Sequence, residues 1–413
     1  MSQTVELMNE EIAQRLITAA KSVGLDISGG TVRRSSSRFC LGVEHGDYNG
    51  MELFGVGTNR FIWMAYKPNT TGRVRIFSEN FPGDGLVDFA LGEEAPAGTH
   101  KDSWARFPMG AAYILRKNGY PINQGFDAVV YGNIPGGGMS RSASLCLNLL
   151  LTLLEVNDVS IDDGMQIVDL AQMVENQYIG SPCGKLDQLM IYFAREGMGA
   201  HYNPKTNTIE HIPFGGDAED FRIVSLDTGT KRPGLEKSTY RIRRDECREL
   251  TKILEREFGH ESIARIRSKS EFAAAVEHLQ EDFEHLQGRL KYLFEANQRF
   301  GEMLNAWREG DIAQVGAIFR ADGIGLRDDY EISGRELETM CNLARTVEGV
   351  YGERMLGGGD KGASGAIVRT DAFSQLKEVV NATYPVCHPD YADSFAIHAC
   401  KSVDGIRSAP APF

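Results

Sequence analysis

The passage 131–156, YGNIPGGGMSRSASLCLNLLLTLLEV, constrains the chain more than any other. Gly136, Gly137 and Gly138 have no Cβ, so the backbone there can take positive φ and let a ligand approach its N–H groups. Ser140, Ser142 and Ser144 follow, where the start of a helix leaves N–H groups without internal partners. The apolar run 145–154 anchors such a helix in a core, and the helix dipole adds about half a positive charge at the glycine end. Residues 126–131 read as a short apolar strand feeding the loop. Strand, glycine loop and helix in that order can cradle a phosphate. The same residues also fit a turn that only caps a core helix, and no lysine follows the glycines, so the other parts of the chain must decide.

At 413 residues the chain exceeds one ordinary core, and 42% hydrophobic residues suffice to fill two. The division expected is an N-terminal domain of residues 1–195 and a C-terminal domain of residues 196–413. A formal net charge of −13 argues against nucleic acid as a partner, because phosphate backbones need a clustered basic face. No apolar run reaches the roughly 20 residues that cross a membrane, and the start MSQTVELMNEEIAQRL has no basic leader region. Seven scattered cysteines without a CxxC pair indicate reduced thiols and a cytoplasmic location rather than structural zinc. His278 and His285 fall two turns apart with no third ligand at suitable spacing, so no metal site is expected there.

In chain order, residues 9–23 have apolar positions at helical spacing and end near Gly24. The polar, basic GGTVRRSSSR leads into FCLGVEHGDYNG, where Arg38, Glu44, His45 and Asp47 crowd among Gly42, Gly46 and Gly50. That density suits a binding loop, although a solvated turn between strands has a similar composition. Residues 51–76 alternate as a β-hairpin or meander around the turn PNTTGR, and 81–99 read as a loop. A helix is expected over 103–117, opening with Trp104, and another over 162–178, carrying Glu175 before the break GSPCG. Asp187 then stands beside the apolar stretch 189–195, a strand or a buried helix. Beyond it come a hairpin at 201–213, a charged helix at 240–258, one helical stripe over 272–307 and a second glycine-rich turn within 350–368.

Four passages together resemble the galactokinase branch of the GHMP small-molecule kinases. RFCLGVEHGDYNG at 38–50 is similar to that branch's GRxNLIGEHTDYNxG signature, and GGGMSRSASL at 136–145 to its GGGLSSSASL phosphate loop. AQMVENQYIGSPCGKLDQ at 171–188 is similar to AQxAEHxxxGxPCGIMDQ, and LRDDYEIS with VYGERMLGGG, within 326–359, to its C-terminal pair. The resemblance implies an α+β, two-domain GHMP kinase fold with the active site in the interdomain cleft. It implies an ATP-dependent, Mg²⁺-using sugar 1-kinase, with galactose as the sugar, acting as a monomer or weak homodimer. Asp187 becomes the base at the sugar C1 hydroxyl and Arg38 the cation beside it. Ser142 and Glu175 hold the metal, and Glu44, His45, Asp47, Gly184 and Tyr240 bind the sugar. Trp104 falls in the adenine-pocket segment, while Gly136, Gly137, Gly138, Ser140, Ser142 and Ser144 surround the phosphates.

The chain departs from this pattern at Gly46 for Thr, Arg141 for Ser, Asn176 for His, and Asp360 and Lys361 where an aromatic and a glycine are usual. A basic side chain added at the sugar would favour a carboxylated substrate, with Arg141 and Lys361 as candidates. The other readings are therefore a kinase for a uronic acid, an N-acetylhexosamine or L-arabinose, and a non-catalytic sugar sensor.

Overall fold

The structure is a computed structural model that describes residues 7–231, 238–280 and 283–413. Its strands are β1 (Thr31–Gly42), β2 (Leu53–Pro68), β3 (Arg73–Ser78), β4 (Val87–Ala90), β5 (Phe126–Gly132), β6 (Met198–Asn203), β7 (Thr208–Pro213), β8 (Phe221–Asp227), β9 (Val350–Met355), β10 (Ala363–Arg369), β11 (Ala396–Cys400) and β12 (Ile406–Pro410). Its helices are α1 (Glu10–Ser22), α2 (Arg106–Lys117), α3 (Arg141–Val156), α4 (Gly164–Met173), α5 (Leu186–Tyr192), α6 (Thr239–Phe258), α7 (Lys269–Leu279), α8 (Glu284–Glu309), α9 (Ile312–Asp328), α10 (Arg335–Arg345) and α11 (Phe373–Cys387). The larger sheet runs β12-β1-β2-β5-β3-β4, with β6 added to β2 and β7 to β6, and the smaller runs β11-β8-β10-β9. The mixed α and β character expected from the sequence is therefore present.

Local signals wrote most elements. Asn9 caps α1 by accepting the Ile12 N–H, and Gly24 takes φ of 68° just past its end. The pairing of strands is less local. Residues 51–76 do form two strands around PNTTGR, but they are not hairpin partners: β5 inserts between them, antiparallel to β2 and parallel to β3. The stripe 272–307 likewise divides into α7 and α8, so His278 and His285 lie on different helices.

The basic, serine-rich stretch before Arg38 is not a solvated loop. It is β1, buried against α3; the Ser35 and Ser37 hydroxyls find partners on that helix and the loop before it, while Ser36 Oγ is buried without one among the described residues. Ser35 Oγ donates to the Ser144 carbonyl at 3.1 Å and accepts from Asn148 Nδ2 at 3.1 Å and Ser144 Oγ at 2.8 Å. Ser37 Oγ donates to the Met139 carbonyl at 2.7 Å, and Arg33 reaches Thr152 and Glu155. Buried polar groups are tolerated when paired in this way. The belt holds α3, and with it the glycine loop, in one register on β1. Ser35→Ala leaves Asn148 and Ser144 short of a partner and should lower unfolding stability by about 2 kcal/mol in urea titration; a change under about 0.5 kcal/mol would show that the belt is not structural.

Candidate active site

Arg38 lies near the end of β1 with its side chain only 2% exposed. Its Nε and Nη2 donate to one oxygen of Asp187, at 2.8 and 2.6 Å, and its Nη1 donates to the Gly138 carbonyl at 2.8 Å. Burial alone would push the guanidinium pKa down, but Asp187 and Glu44 more than offset it and hold the cation charged. Asp187 stands in the first turn of α5, half-buried, so the segment 189–195 starts as a buried helix rather than a strand. Glu44 lies 4.0 Å from Arg38 and 3.4 Å from Arg354. Burial pushes its carboxyl up and the two arginines oppose that.

Asp47 and Gly184 meet closely. A Cβ on Gly184 would stand 1.8 Å from Asp47 Oδ2, so no larger residue fits there without displacing the carboxylate. Asp47 accepts the Leu186 N–H at 3.2 Å and the Tyr48 N–H at 3.1 Å, which ties the first motif to the start of α5. Burial, reinforced by the nearby Asp187 and Glu44, pushes its pKa up to about 6. His45 has φ of 60°, its Nδ1 is 2.8 Å from Tyr48 Oη, and its ring lies 5.4 Å from Tyr240 and 5.2 Å from Tyr330. Gly46 is tight as well, with an added Cβ 3.0 Å from the Val43 carbonyl and 3.1 Å from Met51 Cβ, so the threonine of the resembling motif would need its neighbours to give by a few tenths of an ångström.

The other end of the site is a cavity of about 360 Å³. Arg38, Asp187, Gly136, Gly137, Gly138, Ser140, Ser142, Glu175 and Trp104 line it, with Gly357, Gly358 and Gly362 of the second glycine turn opposite. The two glycine turns touch: a Cβ on Gly137 would be 2.4 Å from Gly362 Cα. Ser142 Oγ donates to Glu175 at 2.7 Å, and Gln188 Nε2 donates to its other oxygen at 2.5 Å. Glu175 sits on the π-helical turn Val174–Ile179 that continues α4, and burial pushes its pKa up to about 7. Among the described residues, Ser140 Oγ and Trp104 Nε1 are buried without hydrogen-bond partners, two orphaned polar atoms on the wall of one cavity. Ser144 differs from its neighbours, since it is fully buried and bonded to Ser35 rather than lining the cavity.

The unusual positions of the chain have identifiable partners. Asn176 donates to the Cys183 carbonyl at 3.2 Å and so steadies the GSPCG turn. Asp360 accepts from Thr239 at 2.9 Å, and Lys361 Nζ lies 3.4 Å from Glu336; neither lines the cavity. Three residues that the sequence left without roles support the site. Tyr330 joins Tyr48 at 2.8 Å, Tyr292 donates to the Glu44 carbonyl at 2.8 Å, and Arg354 donates to the Cys40 carbonyl at 2.9 Å. Tyr330 and Arg354 lie inside the two quoted C-terminal passages, which was the available signal.

A glycine loop at a helix start, facing a guanidinium–carboxylate pair, is an arrangement chemically able to hold a phosphate and to accept a proton. Residues 106–195 match the family profile "GHMP kinases N terminal domain". The galactokinase of Limosilactobacillus fermentum is 33% identical over 83% of this chain and 86% of its own length. That of Streptococcus mutans is 32% identical over 85% and 88%. A crystal structure of Lactococcus lactis galactokinase complexed with galactose superposes with TM-score 0.86 at 29% identity, over 96% of this chain and 99% of that one. Methanococcus jannaschii mevalonate kinase, 14% identical with TM-score 0.63, shares the fold. The chain belongs to the GHMP kinases and, within them, to the galactokinase family.

The strained carboxylate of Asp47 makes a measurable trade. Its folded pKa is raised, so ionisation destabilises the fold above about pH 6, and the penalty disappears as pH falls toward 4. Asn keeps one of the two acceptor oxygens, so the test is the pH dependence: between pH 4 and pH 8 the melting temperature of Asp47→Asn relative to the parent should rise by an amount corresponding to roughly 1–3 kcal/mol. A difference that is the same at both pH values would mean that Asp47 carries no such penalty.

Proposed function

We propose that the protein transfers the γ-phosphoryl group of ATP to the anomeric hydroxyl of D-galactose, giving galactose 1-phosphate and ADP. The observation that carries this reading is the buried Arg38–Asp187 pair on the floor of a glycine-walled cavity. Asp187 accepts the proton of the C1 hydroxyl as that oxygen bonds to the γ-phosphorus, and the bond to the ADP oxygen breaks with its electrons leaving on ADP. Arg38 keeps Asp187 oriented and offsets charge on the phosphoryl oxygens. Such a transfer depends on positioning and charge neutralisation more than on covalent chemistry.

Residues 1–195 supply the phosphate loop, the base and most of the sugar loop, and residues 196–413 supply Tyr240 and the second glycine turn. The orphaned Ser140 Oγ and Trp104 Nε1 fit a nucleotide, whose phosphate oxygens and ribose or base can satisfy them. Ser142 and Glu175 are hard oxygen donors within 2.7 Å of each other and would hold Mg²⁺, which would offset charge on the phosphates. Glu44, His45, Asp47, Gly184 and Tyr240 surround the sugar hydroxyls, each of which is both donor and acceptor.

Lys361 is engaged with Glu336 and does not line the cavity, and Arg141 stands in the glycine–serine loop rather than with Glu44, His45 and Asp47, so neither supports the carboxylated-sugar reading. The intact Arg38–Asp187 and Ser142–Glu175 pairs support catalysis over sensing. ADP release measured over galactose, glucose, galacturonate, N-acetylgalactosamine and L-arabinose tests the proposal. Galactose is expected to give a kcat/KM at least about tenfold above the others, the scale of one lost or clashing polar contact. Preference for another sugar would replace the substrate, and galactose binding without ADP release would replace the kinase by a sensor.

A further inference from the structure

Arg141 is the first residue of α3 and stands within the glycine–serine loop, between Ser140 and Ser142. The place is unfavourable for a cation. A helix start already carries about half a positive charge from its dipole, and a guanidinium there meets like charge. Burial also pushes the Arg141 pKa down, with only the more distant Asp227 opposing. Asp227 is itself engaged, accepting the Gly229 N–H at 3.0 Å and an N–H from Gly136.

Among the described residues Arg141 forms no ion pair and no side-chain hydrogen bond. Its one ring contact is with Phe81, whose centroid lies 5.5 Å from the guanidinium carbon and whose side chain is 39% exposed. The neighbouring cations are held differently. Arg38 is bound to Asp187 and Lys361 lies against Glu336; Arg106, also on the cavity wall, has no ion pair among the described residues either, but its guanidinium donates to the Lys101 carbonyl at 2.5 Å, a hydrogen bond that Arg141 lacks. Arg141 lines the same cavity as Gly136, Gly137, Gly138 and Trp104, and so does Phe81, the ring beneath its guanidinium. An arginine that is half-desolvated, set against a helix dipole and left without a counter-ion lacks a compensating anion. A phosphate in that cavity removes both penalties at once, because guanidinium and phosphate pair bidentately with charge-assisted hydrogen bonds.

We propose that Arg141 is a nucleotide-binding residue whose guanidinium holds the phosphate chain of ATP beside the loop N–H groups. This rests on the kinase reading above and adds a contact that a serine at this position could not make. Phe81, itself on the cavity wall, holds the guanidinium there by cation–π contact. The contact exists in substrate and product complexes alike, so it sets nucleotide affinity more than kcat.

Isothermal titration of the full chain with ATP, ADP and adenosine, at fixed Mg²⁺, tests this with Arg141→Gln and Arg141→Lys. The Gln variant should bind ATP and ADP about 10- to 100-fold more weakly and adenosine within about twofold of the parent, and Lys should recover part of the loss. The unliganded Gln variant should melt at the parent's temperature or above, because the helix start loses a like charge. Unchanged ATP and ADP affinities would overturn the proposal. So would an equal loss for adenosine with a lowered melting temperature, the signature of a merely structural arginine. A parent protein that binds no ATP would remove the kinase reading and this inference with it, whereas normal parent binding beside an indifferent variant removes the inference alone.

Discussion

The site depends on one buried ion pair. Arg38 and Asp187 are 149 residues apart, and the guanidinium is almost wholly out of water. A cation in that position is stable only if carboxylates come to it, and leaving it unpaired costs several kcal/mol. The fold brings them from two directions: Asp187 from the start of α5, and Glu44 from the loop after β1. The third hydrogen bond of Arg38, to the Gly138 carbonyl, fixes the glycine loop relative to the same pair. Asp187 and the glycine loop are thus both tied to one side chain.

Around this pair the structure accepts local costs. Glu44, Asp47 and Glu175 all have their carboxyls pushed up by burial, and among the described residues Asp47 has no arginine against it. Ser140 and Trp104 keep buried polar atoms without partners among the described residues. Such costs concentrate where a ligand later supplies the missing partners. The compensation lies in the hydroxyl belt between β1 and α3 and in the apolar face of α3, which anchor the helix that the loop leads into.

Legibility in the sequence followed distance along the chain. α1, α3, β5 and the β6–β7 hairpin were readable because their caps, periodicity and turns are local. The insertion of β5 between β2 and β3 was not, since β2 is buried along most of its length and its side chains do not declare a partner. Nor was the return of β12 to β1, at the far end of the chain. Within the site, Arg38, Ser142, Glu175 and Asp187 stood in recognisable motifs and do come together. Ser144 shares its motif with Ser142 but faces the sheet, because a helix turns its second neighbour to another side. Arg354 and Tyr330 act through burial and contact with distant groups, which spacing alone does not reveal.

The central claim is that Arg38 and Asp187 act as one unit in transfer. Its most direct test is a kinetic cycle of Arg38→Ala, Asp187→Asn and the double variant, with kcat read from ADP release on galactose. Groups that work together are strongly non-additive, so the double variant should be about as slow as the slower single one, with each single losing on the order of 10³-fold or more. Losses that multiply in the double variant, or a single variant that keeps normal turnover, would contradict it.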